Sequence, residues 1–185
     1  GIAGGSGASN IFSNCSNTGA MSIKCPGNAF RIGGIAGYNG GSGKCTGCTV
    51  DSDIEVLATI TTPHIGGMVG YSNPGKYVDC SYTGKITCST GSLGGILGYT
   101  KTNQTMEGCS VNAEITGDAS AGLFIGGSDA NKTYTLGTTA KPCKVVSGSK
   151  VKGTSVAAIS STDSERYLVG GTNAMTINAT NTSIK

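Results

Sequence analysis

The 185-residue chain has no tryptophan, one histidine and four prolines, and only 12 % of its residues are charged. Charged residues are about half as common as usual. A charged disordered tail does not fit, because the formal net charge is +3 and 37 % of residues are hydrophobic. Thirteen Lys and Arg stand against ten Asp and Glu, with no basic cluster interleaved with aromatics, which argues against nucleic acid as a partner. Long apolar runs are missing as well. Stretches such as Leu123-Phe124-Ile125 fall far short of the roughly 20 residues that span a bilayer, so no membrane-spanning segment is expected. Scarce proline, and no glycine at every third position, exclude collagen.

What is plentiful is glycine, at 32 residues more than twice the usual share. Gly, Ser and Thr together make up about two in five residues. Glycine and β-branched threonine both lower helix propensity, so a helical bundle is excluded. Ile54-Glu55-Val56-Leu57-Ala58-Thr59-Ile60 and Ala113-Glu114-Ile115-Thr116 read as strands. Asn39-Gly40-Gly41 and Ser72-Asn73-Pro74-Gly75 read as turns between short apolar segments.

Self-comparison reveals repeats. Gly34-Ile35-Ala36-Gly37-Tyr38 returns as Gly67-Met68-Val69-Gly70-Tyr71 and as Gly95-Ile96-Leu97-Gly98-Tyr99, at intervals of 33 and 28 residues. Cys48-Thr49, Cys80-Ser81 and Cys109-Ser110 follow in the three units, then Ile54, Ile86 and Ile115 six residues after each cysteine. A period in this range signals stacked repeats. Gly1-Ile2-Ala3-Gly4 with Cys15-Ser16 and Met21 forms an earlier unit, with Gly5 in place of the tyrosine. A degenerate fifth unit runs from Gly122-Leu123-Phe124-Ile125-Gly126 through Cys143 and Val145. Tyr167-Leu168-Val169-Gly170-Gly171 and Met175-Thr176-Ile177 are expected to close the stack. The reading is an all-β, right-handed parallel β-solenoid of about four to five coils with a C-terminal β cap. Units 1–33, 34–66, 67–94 and 95–121 form the solenoid, and 121–185 the degenerate repeat and capping segment. Such a stack is roughly 20–25 Å long. Because position 1 already lies inside a repeat, the chain reads as a fragment of something longer.

The Gly-Ile-Ala-Gly-Tyr, Gly-Met-Val-Gly-Tyr and Gly-Ile-Leu-Gly-Tyr units, each followed by a Cys-Ser/Thr segment, resemble the GLUG repeat. That family occurs in large bacterial cell-surface proteins, including adhesin-like proteins of gut Bacteroidetes. The resemblance covers residues 34–117 well, 1–33 less well, and hardly extends beyond. It implies an extracellular or cell-surface location and a non-enzymatic structural or adhesive role. The partners it implies are neighbouring modules and a host or bacterial surface glycan or protein. It carries over no catalytic residue.

The residues themselves suggest little chemistry. Cys15, Cys48, Cys80 and Cys109 share one repeat position and are expected as a buried ladder of free thiols. Cys25, Cys45, Cys88 and Cys143 stand outside it and would be the partners in any disulfide. Cys45-Thr46-Gly47-Cys48 has the spacing of half a zinc site or of a redox motif, but no second pair exists, and the lone His64 follows Pro63 in an expected turn. Asp51, Asp53 and Glu55 alternate on one face, with Tyr82 and Gly84 expected opposite the first two. No second acidic ladder joins them for glycosidase or lyase chemistry. No catalytic, cofactor-binding or metal site is therefore assigned, and no cofactor. The tyrosine ladder is read as corner packing, with a sugar platform as the other reading if the rings face outward. A carbohydrate-binding or polysaccharide-active β-helix is the alternative function.

Overall fold

A computed structural model describes residues 2–5, 7, 10–24, 30–57, 62–73, 75–117, 120–155, 167–171 and 175–184. The expected strand residues Ala58 to Ile60, the expected disulfide partner Cys25 and the terminal Gly1 lie outside them. Every element among the described residues is a β-strand, none is a helix, and the chain winds as a parallel β-solenoid of about four coils.

Four sheets run along the stack. Sheet I holds Ile11–Ser13, Lys44–Thr46, Lys76–Val78, Gln104–Glu107, Lys132–Leu136 and Met175–Asn178. Sheet II holds Ser16–Asn17, Thr49–Asp51, Ser81–Thr87, Ser110–Thr116, Cys143–Val145 and Thr182–Ile184, extended by Met21–Ile23, Ile54–Val56, Lys150–Val151 and Thr154–Ser155. Sheet III stacks Arg31–Gly33, His64–Gly66, Ser92–Gly94 and Ser120–Gly122. Sheet IV stacks Ala36–Asn39, Val69–Ser72, Leu97–Thr100 and Ile125–Ser128. All pairings between these strands are parallel except that of Lys150–Val151 with Thr154–Ser155.

Alternation along each strand sends one file of apolar side chains into a shared core. Sheet III contributes Ile32, Ile65, Leu93 and Ala121, sheet IV Ala36, Val69, Leu97 and Ile125, and sheet II Ile54, Ile86, Ile115 and Val151. Repetition of the same small file in each coil lets a glycine-rich chain keep an apolar interior.

Sheets III and IV belong to one tight arch, and glycine is what allows it. A Cβ on Gly98 would lie 2.5 Å from the Ile65 amide nitrogen of the preceding coil, and one on Gly70 would lie 2.5 Å from that of Ile32. Their backbones touch directly, with no room for a side chain between them. The recurring Gly-x-x-Gly is therefore a sheet–sheet contact.

Candidate functional site

The cysteine ladder is internal. Thr49 pairs with Ser16 and Ser81, and Ser81 with Ser110, which sets Cys15, Cys48, Cys80 and Cys109 one above another. Lys144 pairs with Ser110, so Cys143 joins the same file instead of standing outside it. Val145 correspondingly lies opposite Val111, and Val151 takes the position opposite Ile115. Each thiol donates to a carbonyl of the previous coil: Cys48 to Phe12 at 3.4 Å, Cys80 to Cys45 at 3.3 Å, Cys109 to Tyr77 at 3.5 Å and Cys143 to Met106 at 3.4 Å. The seven described cysteines are all free. Contacts with the thiols of Cys143 and Cys80, then burial, push Cys109 well above the ordinary thiol range. Contact with Cys48 and burial do the same to Cys45. Thiols held protonated in this way are poor nucleophiles.

The corner before each of the first four ladder cysteines has a local cause. Asn14, Gly47, Asp79 and Gly108 all have positive φ, between 52° and 63°. Asn, Asp and Gly are the residues that tolerate this turn. The polar side chains of Asn14 and Asp79 lie over Gly47 and Gly108 of the next coil.

The acidic face is exposed, and Asp53 within it is engaged. Asp51 pairs with Thr83, and Tyr82 is buried opposite Val50, so the expected register of Tyr82 and Gly84 against Asp51 and Asp53 is one residue off. The cause is the 32-residue step from Cys48 to Cys80, which carries position 51 to 83. The Lys85 amide donates to Asp53 Oδ1 at 2.7 Å, and Lys85 Nζ reaches Glu114 Oε1 at 3.4 Å. Among the described residues no three His, Cys, Asp or Glu side chains converge as metal ligands.

A different feature stands out on the surface. Tyr38, Tyr71 and Tyr99 pair in register, and Gly127 takes the next position, so no fourth ring follows Tyr99. Ring centroids are 5.5 Å apart for Tyr38 and Tyr71 and 6.0 Å apart for Tyr71 and Tyr99. Unlike the fully buried Tyr77, Tyr82 and Tyr134, Tyr38 and Tyr99 are half-buried, with the buried Tyr71 between them. Facing them is a second file, Arg31, His64, Ser92 and Ser120. The Arg31 guanidinium sits 4.7 Å from the Tyr38 ring and 4.4 Å from the Tyr71 ring. His64 stacks on Tyr99 at 4.4 Å and meets Tyr71 at 5.6 Å. The two files interlock along the solenoid, so the rings stack on one another and on the intervening cation and imidazole. A sugar platform needs ring faces turned to solvent, and here the partners within the strip cover them.

His64 belongs to a strand, in place of the turn expected after Pro63. Its Nδ1 is buried without a hydrogen-bond partner. Burial, then the charges of Arg31 and Lys101, lower its pKa to about 4. Beside it opens a pocket of about 500 Å³ lined by Thr62, His64, Gly91, Ser92, Tyr99 and Lys101. The Tyr99 hydroxyl donates to the Asp129 carboxylate. The Arg–His–Ser file escaped the sequence reading, although a signal existed: Arg31, His64 and Ser92 each stand three residues before the glycine that opens a repeat motif.

No family model, curated protein or solved structure matches this chain.

Proposed function

We propose that the chain is a non-enzymatic structural and adhesive repeat module of a bacterial cell-surface or secreted protein. The observation that carries this reading is the state of the polar groups on the outer face. On this face Asp53 accepts from the Lys85 amide and Glu114 pairs with the Lys85 ammonium. Six of the seven described thiols are buried, Cys15 being half-buried, and the hydroxyl-rich coils are stacked like rungs. A rigid stack of this kind extends and displays; its residues do not converge on a reacting atom.

The test is a panel of polysaccharide and peptide substrates with and without divalent metal. No turnover is expected from the wild-type chain. Turnover that disappears in Asp51→Asn or Asp53→Asn would overturn the reading in favour of a polysaccharide-active β-helix.

A further inference from the structure

The pocket beside His64 is an ordered recess whose lining points to a ligand. Lys101 borders it, and Arg31 lies on the far side of the imidazole, in the next coil of sheet III. Among the described residues neither cation forms an ion pair, whereas Lys76, Lys85 and Lys141 all do. The groups around the ring are Arg31 from one strand, Tyr71 and Tyr99 from two others, Ser92 one coil on, and Lys101 after the Tyr99 strand. The carboxylate of Asp129 is the nearby acid, and it is held by the Tyr99 hydroxyl. Local charge is thus positive at a mouth that also carries the hydroxyls of Thr62 and Ser92.

Two features narrow the ligand. Positive charge at a concave, partly desolvated site favours an anionic group. Hydroxyl donors and acceptors at the mouth favour a polyhydroxylated body over an apolar one. A neutral sugar would lack both the charge contact and a free ring face to stack on. We infer that this pocket binds a carboxylate-bearing sugar residue of an acidic polysaccharide, with Lys101 meeting the carboxylate and Ser92 and Thr62 meeting the hydroxyls. This names the ligand class for the adhesive role proposed above, and rests on it.

His64 is the only histidine, so its imidazole signals report the site without ambiguity. An anion bound nearby favours the protonated ring. The experiment follows the His64 side-chain resonances by NMR from pH 3.5 to 7.5, alone and with millimolar tetragalacturonate. The expected result is a His64 pKa raised by at least one unit, with the reciprocal tenfold tighter binding to the protonated form. Lys101→Gln should abolish the shift while circular dichroism stays unchanged, and Lys101→Glu should do the same, which guards against a peculiarity of one variant. Neutral galactotetraose should leave the titration unmoved. No shift with tetragalacturonate would overturn the proposal. An equal shift with inorganic sulfate would reduce the site to a simple anion contact and overturn the saccharide assignment. A larger shift with poly-glutamate would overturn it in favour of an acidic peptide. Cleavage of tetragalacturonate during the titration would instead overturn the non-enzymatic reading and leave the binding site standing.

Discussion

His64 shows what a place in a stacked file does to a titratable side chain. Its ring is clamped between tyrosines, and burial, Arg31 and Lys101 together hold its pKa at about 4. In the unfolded chain it titrates near 6.5, so between those values the unfolded state binds more protons. Stability from this group is therefore fully present above about pH 6.5 and is lost as pH falls towards 4. Urea unfolding of wild type and His64→Phe, which keeps an aromatic ring in the file, isolates the effect from the carboxylates. Wild type should lose about 1–2 kcal/mol relative to the variant between pH 7 and pH 4, after discounting for the solvent-open part of the ring. Parallel pH profiles would contradict the assignment. A sequence alone could not supply this environment, because the groups that surround His64 come from four other strands, three of which lie about 30 residues away in the chain.

The element that most depends on a single residue type is the arch of sheets III and IV. Gly98→Ala places a methyl group 2.5 Å from the Ile65 backbone, where nothing flexible can give way. It should cost at least about 3 kcal/mol, the range of severe overpacking. Gly4→Ala, whose Cβ would meet nothing within 4 Å, should change stability by less than about 0.5 kcal/mol. Thermal melts of the two variants decide it, and similar losses would mean the arch is looser than drawn. This element was only half legible from sequence. The repeated Gly-x-x-Gly gave the coil its period and its strand pairing, and Tyr38, Tyr71 and Tyr99 fall in the expected ladder. Whether those glycines line corners or a wall depends on which strands pack back to back, and a period does not encode that. Tight turns were more readable than the ladder count suggests: Asn14, Gly47, Asp79 and Gly108 stand directly before their cysteines and are the types that adopt positive φ. Cys143 was misplaced because Pro142 precedes it and its unit is longer, which hides the shared register.

At the scale of the molecule, sheets I and II run six strands deep among the described residues, and the four strands of sheet IV are continued by bridges from Ala3 to Ala36 and from Ile125 to Val169. Apolar side chains that are fully buried in the middle coils become half-buried in the first, as with Phe12 below the buried column of Cys45, Tyr77 and Met106. The all-β solenoid and its inward files follow from repeats visible in the chain, because one buried file per coil forces equivalent residues into register. The lateral pocket does not, since it forms where unrelated positions of neighbouring files meet. Register is the claim on which the core, the aromatic strip and the pocket all depend. Nuclear Overhauser spectroscopy on a chain labelled only at tyrosine and histidine tests it most directly. Ring-to-ring cross-peaks should join Tyr38 with Tyr71, Tyr71 with Tyr99 and His64 with Tyr99, while Tyr38 and Tyr99, two coils or roughly 10 Å apart, should show none. Absence of the Tyr71–Tyr99 and His64–Tyr99 cross-peaks in the folded chain would contradict the stacked arrangement.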